Sequence, residues 1–277
     1  MHLTAEQHDQ LDAWGVDRLE PVDHQPGVWW ARQGSSYVVV KSGERDDRAR
    51  EAAALRAFGP AAADVVAHDD HVALLVVERM ILGDDIRPLA RADDDAATWE
   101  IAQLVARLHA DQGDAGSLPD LAMIGTAFDA PADDRLPRAL VRAAQGVFRE
   151  LVDDTVESRV LHGDLHHMNV LRHGDQWRAI DPHGWVGDPT FEPAAMLANP
   201  RNMQESGDAR GMDGSGLAAR VRRRARIIAE VTGYDVQRIE AWAFVGCVIA
   251  ELWMIESHNI VHGAPLAVAQ ELRARGV

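Results

Sequence analysis

The densest group of chemically capable side chains lies between Leu161 and Gly184, in the segment LHGDLHHMNVLRHGDQWRAIDPHG. It places several histidines, three aspartates and an asparagine around two short apolar runs. Polar side chains are unfavourable to bury without partners, so their concentration here indicates a functional site. Three kinds of chemistry use these residue types: a metal-dependent hydrolase, a nucleophile triad and the transfer of a phosphoryl group.

A zinc site is the first hypothesis, because His162, His166 and His167 can each supply an imidazole. The chain has no His-x-His pair and no helical HExxH, and adjacent histidines on a loop point in different directions. The single cysteine, Cys247, rules out an internal disulfide and a multi-cysteine zinc site. A serine hydrolase is also disfavoured, since no G-x-S-x-G elbow occurs in the chain. We interpret His162 as a structural residue that supports its loop.

Phosphoryl transfer suits the segment better, because it needs a carboxylate to accept a proton and hard oxygen ligands to hold Mg²⁺. The runs NVLR and WRAI flank the turn HGDQ, which predicts a β-hairpin with its midpoint near residue 175. Asn169 and Asp181 lie equally far from this midpoint, so the hairpin brings them to the same open end. Asp164 lies on the loop that leads into that end. The sequence therefore gathers two carboxylates and an amide at one place.

The chain up to about residue 80 predicts a small β-rich lobe with one helix. Residues 28–41 are two β-rich runs around a Gly-Ser turn, a hairpin that ends at Lys41. Lys41 is the only lysine among many arginines, which indicates a site that needs a compact ammonium. The next helix stops at Gly59-Pro60 and carries Glu51 on its apolar face. A buried strand at 71–80 and the loop LGDDIRP follow.

The remainder of the chain predicts a larger, mostly helical lobe. Helices are expected at about 97–108, 138–153, 217–232 and 236–257, and the last is apolar on nearly all sides, as a core helix is. Segments 111–136 and 201–216 are rich in Gly, Asp, Pro and Ser and are predicted loops. The fold class is therefore α+β, with two lobes.

The composition is that of a globular, acidic chain. Lys and Arg number 28 against 44 Asp and Glu, and the net charge of −16 disfavours nucleic acid and anionic membranes as partners. No apolar run reaches the roughly 18 residues that span a bilayer, and the N-terminus is polar, so we expect a cytoplasmic protein. The basic cluster RVRRRAR at 220–226 is interpreted as a solvated face. No pattern indicates an oligomeric state.

The order of the candidate residues is more specific than any one of them. His162-x-Asp164-x₄-Asn169 has the spacing of a kinase catalytic loop, and an aspartate follows the next hydrophobic strand. Lys41 on a strand and Glu51 on the following helix match the kinase ion pair. From about residue 29 to about residue 258, the chain resembles the aminoglycoside phosphotransferases, which have a bilobal, protein-kinase-like fold. LHGDLHHMNVL, AIDPHGWVGD and MLANP resemble the branch that phosphorylates streptomycin and includes hydroxyurea phosphotransferases.

This resemblance implies an ATP- and Mg²⁺-dependent kinase that acts on a hydroxyl of a small, cationic substrate, with streptomycin the leading candidate. It implies a nucleotide-binding lobe at 1–80 and a catalytic, substrate-binding lobe at 81–277. By analogy, Asp164 is the catalytic base, and Asn169 and Asp181 are the Mg²⁺ ligands.

The same resemblance implies a nucleotide site in the smaller lobe. Lys41 and Glu51 lie at the ATP phosphates, and the backbone from Glu78 to Met80 is the hinge that holds adenine. No G-x-G-x-x-G precedes Lys41, and the segment RQGSSY is the expected source of phosphate-capping N–H groups instead. Gly163 replaces the arginine that in protein kinases reads a phosphorylated activation loop, which favours a constitutive small-molecule kinase.

Several alternatives stay open on the sequence alone. They are a kinase of another small molecule (hydroxyurea, a sugar or an amino alcohol), an inactive nucleotide-binding module and a metal-dependent hydrolase. Acidic side chains are candidate anchors for a cationic substrate, because carboxylates bind guanidinium groups bidentately. The candidates are Asp84, Asp85, Asp188, Glu192, Glu205, Glu251 and Glu256. Of these, Asp188 lies in a Gly-Asp-Pro turn and is more simply a loop-stabilising residue.

Overall fold

A five-stranded antiparallel sheet forms the N-terminal part of the protein. The computed structural model describes residues 2–131, 133–198 and 214–277. The strands are β1 (Val16–Pro21), β2 (Val28–Gln33), β3 (Ser36–Ser42), β4 (Val65–Asp69) and β5 (Leu74–Glu78), in the spatial order β1-β2-β3-β5-β4. The hairpin ending at Lys41 and the buried strand within 71–80 are thus confirmed as β2–β3 and β5.

Helix α1 (Ala5–Ala13) covers one face of this sheet, although the polar N-terminal sequence gave no apolar stripe to predict it. Its start is marked by a capping box, in which the side chains of Thr4 and Gln7 each accept from the other's backbone N–H. Leu11 of the helix packs with Trp29 and Val40 in a small core of its own. The outer side of the sheet is therefore closed, and the other side faces the rest of the molecule.

Helix α2 (Arg45–Phe58) lies against β4 and β5 on the inner side. It ends at Gly59, as predicted. The φ of this glycine is 51°, a backbone conformation that other residues rarely adopt. Glu51 is buried on the inward side of the helix together with Leu55 and Phe58, which confirms the predicted spacing. The helix thereby holds a carboxylate in the interior, close to the end of β3.

The C-terminal part is mostly helical, as predicted. Its helices are α3 (Arg87–Ala92), α4 (Asp94–Leu108), α5 (Arg138–Asp153), α6 (Ala194–Ala198), α7 (Gly214–Thr232), α8 (Val236–His258) and α9 (Ala264–Ala274). The four predicted helices are confirmed as α4, α5, α7 and α8. Trp242 of α8 is fully buried and meets the rings of Phe148 and Phe191 edge-on, at centroid distances of 6.0 and 5.1 Å. Helix α8 is therefore the core helix that its all-round apolar pattern predicted.

The C-terminal part also contains two small sheets. They contain β6 (Leu82–Asp85), β7 (Arg159–Leu161), β8 (Val170–His173), β9 (Gln176–Ala179) and β10 (Trp185–Gly187), and the pairs are β6–β8, β8–β9 and β7–β10. The predicted β8–β9 hairpin is confirmed. The interpretation of LGDDIRP as a loop was wrong, because Leu82 pairs with His173 and makes this segment an edge strand.

Other expectations need correction. The predicted loop at 111–136 contains a 3₁₀ helix, Leu121–Asp129. Most of the predicted loop at 201–216 lies outside the described residues, and residues 214–216 already belong to α7. The basic cluster at 220–226 is a solvated face only in part: Arg223 and Arg226 are exposed, whereas Arg224 is 2% exposed and paired with Asp94 of α4. None of the helices in the described ranges is both long and apolar enough to cross a bilayer.

Candidate active site

A cavity of about 1050 Å³ lies between the inner side of the sheet and the helical part. Residues from both parts line it, among them Val39, Lys41, Met80, Asp164 and Asp181. The candidate residues therefore share one cleft, although they are spread over 140 positions of the chain.

Lys41 contacts residues from both parts of the protein. The residue is 6% exposed, and its ammonium hydrogen-bonds to the carboxylates of both Glu51 and Asp181. Burial lowers the pKa of Lys41, but the two negative charges outweigh that effect, and the pKa is raised. Glu51 has a second cationic partner that the sequence interpretation missed: Nη1 of Arg48 lies 2.6 Å from Glu51 Oε2. Their i, i+3 spacing on α2 was the available signal.

The β8–β9 hairpin brings Asn169 and Asp181 together, as the symmetry of the sequence about residue 175 predicted. Val170 pairs with Ala179, and the N–H of Ile180 donates to the Asn169 carbonyl at 3.0 Å. The Asn169 side-chain nitrogen donates to the backbone carbonyl of Asp164 at 3.0 Å. Asp181 itself has a φ of 59°, an uncommon value for a residue with a side chain. Strained backbone of this kind concentrates at functional sites.

The Asp164 carboxyl group faces the same cavity in a partly desolvated position. Burial, the larger effect, and the charge of Asp181 raise its pKa to about 6, although the charge of His183 opposes them. Nε2 of His183 lies 3.8 Å and Nε2 of His166 lies 3.5 Å from Asp164 Oδ2. A carboxylate whose pKa lies this close to neutrality is suited to accept a proton during a reaction.

His162, His166 and His173 contact backbone groups, whereas both ring nitrogens of the buried His167 have no hydrogen-bond partner among the described residues. Nε2 of His162 lies 2.7 Å from the Ile180 carbonyl, and its Nδ1 accepts from the Asp164 N–H at 3.3 Å. Burial lowers the pKa of His162 to about 4, so the ring is neutral near pH 7. The structural role predicted for His162 is confirmed by these contacts. Among the described residues, no group of three or more His, Cys, Asp or Glu side chains is placed to hold a metal ion.

Glu192 was proposed as a substrate anchor, and that interpretation was wrong. The carboxylate is fully buried and accepts hydrogen bonds from the backbone N–H groups of His162, at 2.8 Å, and Gly163, at 3.1 Å. It also lies 3.0 Å from Nε2 of His109, whose Nδ1 lies 2.7 Å from the Tyr234 hydroxyl. Glu192 therefore fixes the start of the loop that carries Asp164, and no local pattern in the sequence signalled this pairing.

Most of the other candidate anchors are also used internally or lie outside the described residues. Asp188 accepts from Thr190 N at 2.9 Å and from Trp242 Nε1 at 2.8 Å, which confirms its predicted loop-stabilising role. Glu251 accepts from the N–H groups of residues 262 and 263 at the start of α9, so it is not a substrate anchor. Asp85 pairs with its neighbour Arg87, Asp84 and Glu256 are exposed, and Glu205 lies outside the described residues.

The segment RQGSSY, predicted to supply phosphate-capping N–H groups, does not lie beside Lys41. The segment RQGSSY forms the β2–β3 turn, where Gln33 pairs with Ser36, whereas Lys41 pairs with Val28 at the opposite end of the hairpin. Five residues of strand separate the two ends by roughly 16 Å. The β1–β2 loop overhangs the cavity instead, since Val22 and Gln25 line it. The sequence interpretation missed this loop, VDHQPG, because RQGSSY offered two serines beside its glycine and lies nearer to Lys41 in the sequence.

The hinge segment lies at the edge of the cavity, as expected from its place after β5. Glu78 and Met80 both line the cavity. The N–H of Glu78 donates to the Asp64 carbonyl at 2.9 Å, and that of Arg79 donates to the Tyr37 carbonyl at 3.2 Å. Two of the three backbone donors in the segment are therefore used within the sheet.

Gly163, the position that differs from protein kinases, packs against an aromatic ring. Its φ is 79°, and a Cβ built there would lie 2.4 Å from Cδ1 of Trp185. Both the backbone conformation and the contact exclude a larger side chain. The ring of Trp185 thus lies where an arginine at position 163 would begin, and it forms part of the cavity wall beside Asp164.

Solved structures share this fold. An aminoglycoside phosphotransferase, APH(4)-Ia, in a ternary complex with ADP and hygromycin B superposes with a TM-score of 0.66 at 16% identity, covering 99% of this chain and 100% of that one. The choline kinase LicA from Streptococcus pneumoniae superposes with a TM-score of 0.63 at 12% identity, covering 97% and 96%. The predicted bilobal, protein-kinase-like fold is therefore confirmed.

Sequence relatives identify the family within this shared fold. The streptomycin 3''-kinase of Klebsiella pneumoniae is 31% identical over 238 residues, which are 84% of this chain and 85% of that protein. The hydroxyurea phosphotransferase of Kitasatospora aureofaciens is 29% identical over 96% of this chain and 77% of its own length. The family model described as aminoglycoside/hydroxyurea antibiotic resistance kinase matches residues 25–257. Since that match spans most of the chain, the protein belongs to the aminoglycoside/hydroxyurea antibiotic resistance kinase family.

Proposed function

We propose that the protein is an ATP- and Mg²⁺-dependent kinase that phosphorylates a hydroxyl group of a cationic aminoglycoside, with streptomycin the first candidate. The observation that carries this proposal is the contact of Lys41 with Glu51 and Asp181 in the cavity that Asp164 and Asn169 also line. Family membership supports phosphotransfer. The geometry supports the assignment of roles within this chain.

Asp164 is the proposed base. Its carboxylate accepts the proton of the substrate hydroxyl as that oxygen bonds to the γ-phosphorus, and the bond from phosphorus to the departing ADP oxygen breaks. The raised pKa of Asp164 suits this step, because a carboxylate with the usual pKa is a weaker base. Glu192 acts at a distance by fixing the loop, which keeps the carboxylate oriented toward the acceptor.

Asn169 and Asp181 fit a magnesium ion. The Asn169 amide nitrogen is engaged by the Asp164 carbonyl, so the amide oxygen is the atom that this side chain presents to a cation. Asp181 contributes a carboxylate at the same end of the hairpin. Mg²⁺ takes hard oxygen ligands and retains several waters, which suits a site with one amide and one carboxylate. When bound, the ion would offset the negative charge of the phosphate oxygens.

The adenine base is assigned to the segment from Glu78 to Met80, at the end of β5. Because the N–H groups of Glu78 and Arg79 are used within the sheet, we assign the donor contact with the base to the Met80 amide. Residues 1–80 form the proposed nucleotide-binding lobe, and residues 81–277 form the catalytic and substrate-binding lobe. A kinase that consumes ATP works where ATP and Mg²⁺ are plentiful, so we place it in the cytoplasm.

The acceptor assignment rests on relatives that are named streptomycin kinases. A hydroxyurea kinase is the second candidate, because the hydroxyurea phosphotransferase of Kitasatospora aureofaciens aligns over 96% of this chain. Of the candidate anchors, Glu192, Glu251 and Asp188 have internal partners, and Asp84 and Glu256 remain exposed in the described part of the chain. The two acceptors therefore need a direct comparison.

The test is an ADP-release assay with ATP and Mg²⁺ in the presence of streptomycin, hydroxyurea or neither, with the product identified by phosphorus NMR. We expect ADP release and a phosphate ester with streptomycin. Turnover with hydroxyurea alone would move the proposal to the second candidate. If calorimetry detects no binding of ATP in the presence of Mg²⁺, the kinase assignment itself is wrong.

A further inference from the structure

The β1–β2 loop, which lines the cavity beside Lys41, is not a glycine-rich phosphate loop, and part of its backbone donors are used within the loop. A glycine-rich loop binds phosphate through N–H groups that point at the ligand. In the β1–β2 loop, the N–H groups of Val22, Gln25 and Val28 donate to carbonyls of the same loop, at 3.0, 3.2 and 3.2 Å. Pro26 has no N–H. The loop therefore uses three of the six N–H groups between residues 22 and 28 on itself, which leaves a role for side-chain donors at the phosphate oxygens.

Lys41 alone supplies too little positive charge for this purpose. It is the only lysine in the chain, and its ammonium is already bonded to two carboxylates, those of Glu51 and Asp181. These three groups together carry a net negative charge. An ATP molecule adds several more negative charges at the same place. A second cation at this end of the cavity would make the group neutral before the nucleotide and its metal ion arrive.

Arg48 is the cation that the structure places there. It lies on α2, one turn before Glu51, and lines the same cavity as Lys41 and Asp181. Its Nη1 is 2.6 Å from Glu51 Oε2, while the side chain stays 22% exposed. Its Nε is buried and has no hydrogen-bond partner within the described ranges of the chain. Buried donors in folded proteins are nearly always satisfied, so an unpaired one beside a cavity indicates a missing partner.

We infer that Arg48 binds the phosphate groups of the nucleotide directly and adds a charged donor to a loop that has no glycine-rich motif. This inference rests on the proposed kinase function and extends it to a residue outside the Lys41, Glu51, Asn169 and Asp181 set. A guanidinium suits the role, because it can keep its contact with Glu51 through one nitrogen and donate to phosphate oxygens through others. Arg50, the next cavity-lining arginine on α2, also has a buried Nε without a partner in the described ranges, but its carboxylate partner is Asp47 and not the Glu51 that contacts Lys41, so it is the less suitable donor.

The first test measures the affinity of ATP with Mg²⁺, and of adenosine, for the wild type and for Arg48→Met. We expect the substitution to weaken ATP binding by roughly tenfold or more, as the loss of a charge-assisted hydrogen bond does. Adenosine binding should not change, because adenosine has no phosphate. The matched control is Arg45→Met, since Arg45 lies exposed in the first turn of the same helix, outside the cavity. Equal loss of ATP and adenosine affinity in Arg48→Met would mean a distorted lobe and would overturn the inference.

A second test separates a direct contact from an effect through Glu51. In a double-mutant cycle, Arg48→Met is repeated in a Glu51→Gln background. If Arg48 binds phosphate, the substitution still weakens ATP binding there. If it acts only by holding Glu51, ATP binding shows no further change, and the inference is wrong. Should Arg48→Met fail to fold, Arg48→Lys serves instead, and we expect intermediate ATP affinity.

The outcomes distinguish this inference from the function on which it rests. A wild-type protein that binds ATP, together with an Arg48→Met variant that binds it equally well, contradicts only the role of Arg48. A wild-type protein that does not bind ATP contradicts the kinase proposal, and the role of Arg48 with it.

Discussion

The carboxylate of Glu192 accepts a hydrogen bond of 2.8 Å from the backbone N–H of His162, a residue 30 positions earlier in the chain. Burial raises the pKa of Glu192, but its bond to His109, the charges of His109 and His162, and the His162 N–H outweigh that effect, so the pKa lies below its usual value. The buried, charged carboxylate of Glu192 therefore fixes the backbone of His162 and Gly163. The fixed backbone is the start of the loop that carries Asp164.

Replacement of Glu192 by alanine should impair both stability and catalysis. The N–H groups of His162 and Gly163 would lose their acceptor, and each buried donor left unpaired destabilises the fold by about 1–3 kcal/mol. Urea unfolding measures this loss. Because the loop would also lose its fixed position, we expect kcat to fall by roughly 10²-fold with little change in the KM for ATP.

A graded control for this prediction is Tyr234→Phe. This variant removes only the hydroxyl that lies 2.7 Å from His109 Nδ1, at the far end of the same chain of contacts. The expected loss is about 1 kcal/mol, with nearly unchanged kcat. Equal effects of the two substitutions would show that Glu192 does not act through the loop.

Asp164→Asn should reduce kcat by roughly 10²–10⁴-fold, because an amide cannot accept the proton of the substrate hydroxyl. Nucleotide affinity should change little, since the proposed partner of the side chain is the acceptor hydroxyl and the backbone carbonyl still holds Asn169. Single-turnover kinetics and ATP titration measure the two effects separately. Asp175→Asn, at the exposed tip of the β8–β9 hairpin, is the matched control and should behave as wild type. Unchanged turnover in Asp164→Asn would remove this residue from its proposed role.

The parts of the site that were predictable from sequence are those set by short-range geometry. The β8–β9 hairpin has a local turn and two short strands, so its register places Asn169 beside Asp181 without any knowledge of the rest of the fold. Helical spacing alone places Glu51 on the apolar face of α2. Lys41 was identified from the composition as the only lysine, and the structure places its ammonium between two carboxylates.

The parts that were missed depend on contacts between distant segments. Strand β6 forms only by pairing with β8, about 90 residues later, and its sequence has no alternation of its own. Glu192 was interpreted as a candidate anchor for a cationic substrate, because nothing near it in the sequence indicates its backbone partners. The same limit applies to RQGSSY, whose turn is local but whose distance from the cavity is set by the strand register.

Lys41→Arg should abolish activity although the charge is kept. Lys41 is 6% exposed and held between two carboxylates, and a planar guanidinium is larger than the slot that an ammonium fills. We expect kcat/KM for ATP to fall by roughly 10²-fold or more. The opposite exchange, Arg56→Lys on the exposed side of α2, should have no effect and controls for the type of substitution. Full activity in Lys41→Arg would mean that the unique lysine reflects composition alone.

The pH dependence of kcat/KM should show an acidic limb near pH 6. Asp164 must be deprotonated to accept a proton, and burial together with the charge of Asp181 raises its pKa to about 6. Activity should therefore rise through pH 6 and fall about tenfold for each pH unit below it. The charge of His183 lowers this pKa, so His183→Asn should move the limb to higher pH. His258→Asn, exposed at the end of α8, is the control and should leave the limb in place.

Gly163→Ala should destabilise the protein more than Gly174→Ala does. Both glycines have positive φ, 79° and 57°, so each alanine strains its backbone by about 1 kcal/mol. Only at position 163 would the new Cβ meet another group, Cδ1 of Trp185 at 2.4 Å, whereas position 174 has nothing within 4 Å. We expect Gly163→Ala to cost about 2 kcal/mol more in urea unfolding and also to lower kcat, because the displaced backbone carries Asp164. In a Trp185→Ala background the stability difference should shrink, since the clashing ring is gone; an unchanged difference would place the strain elsewhere.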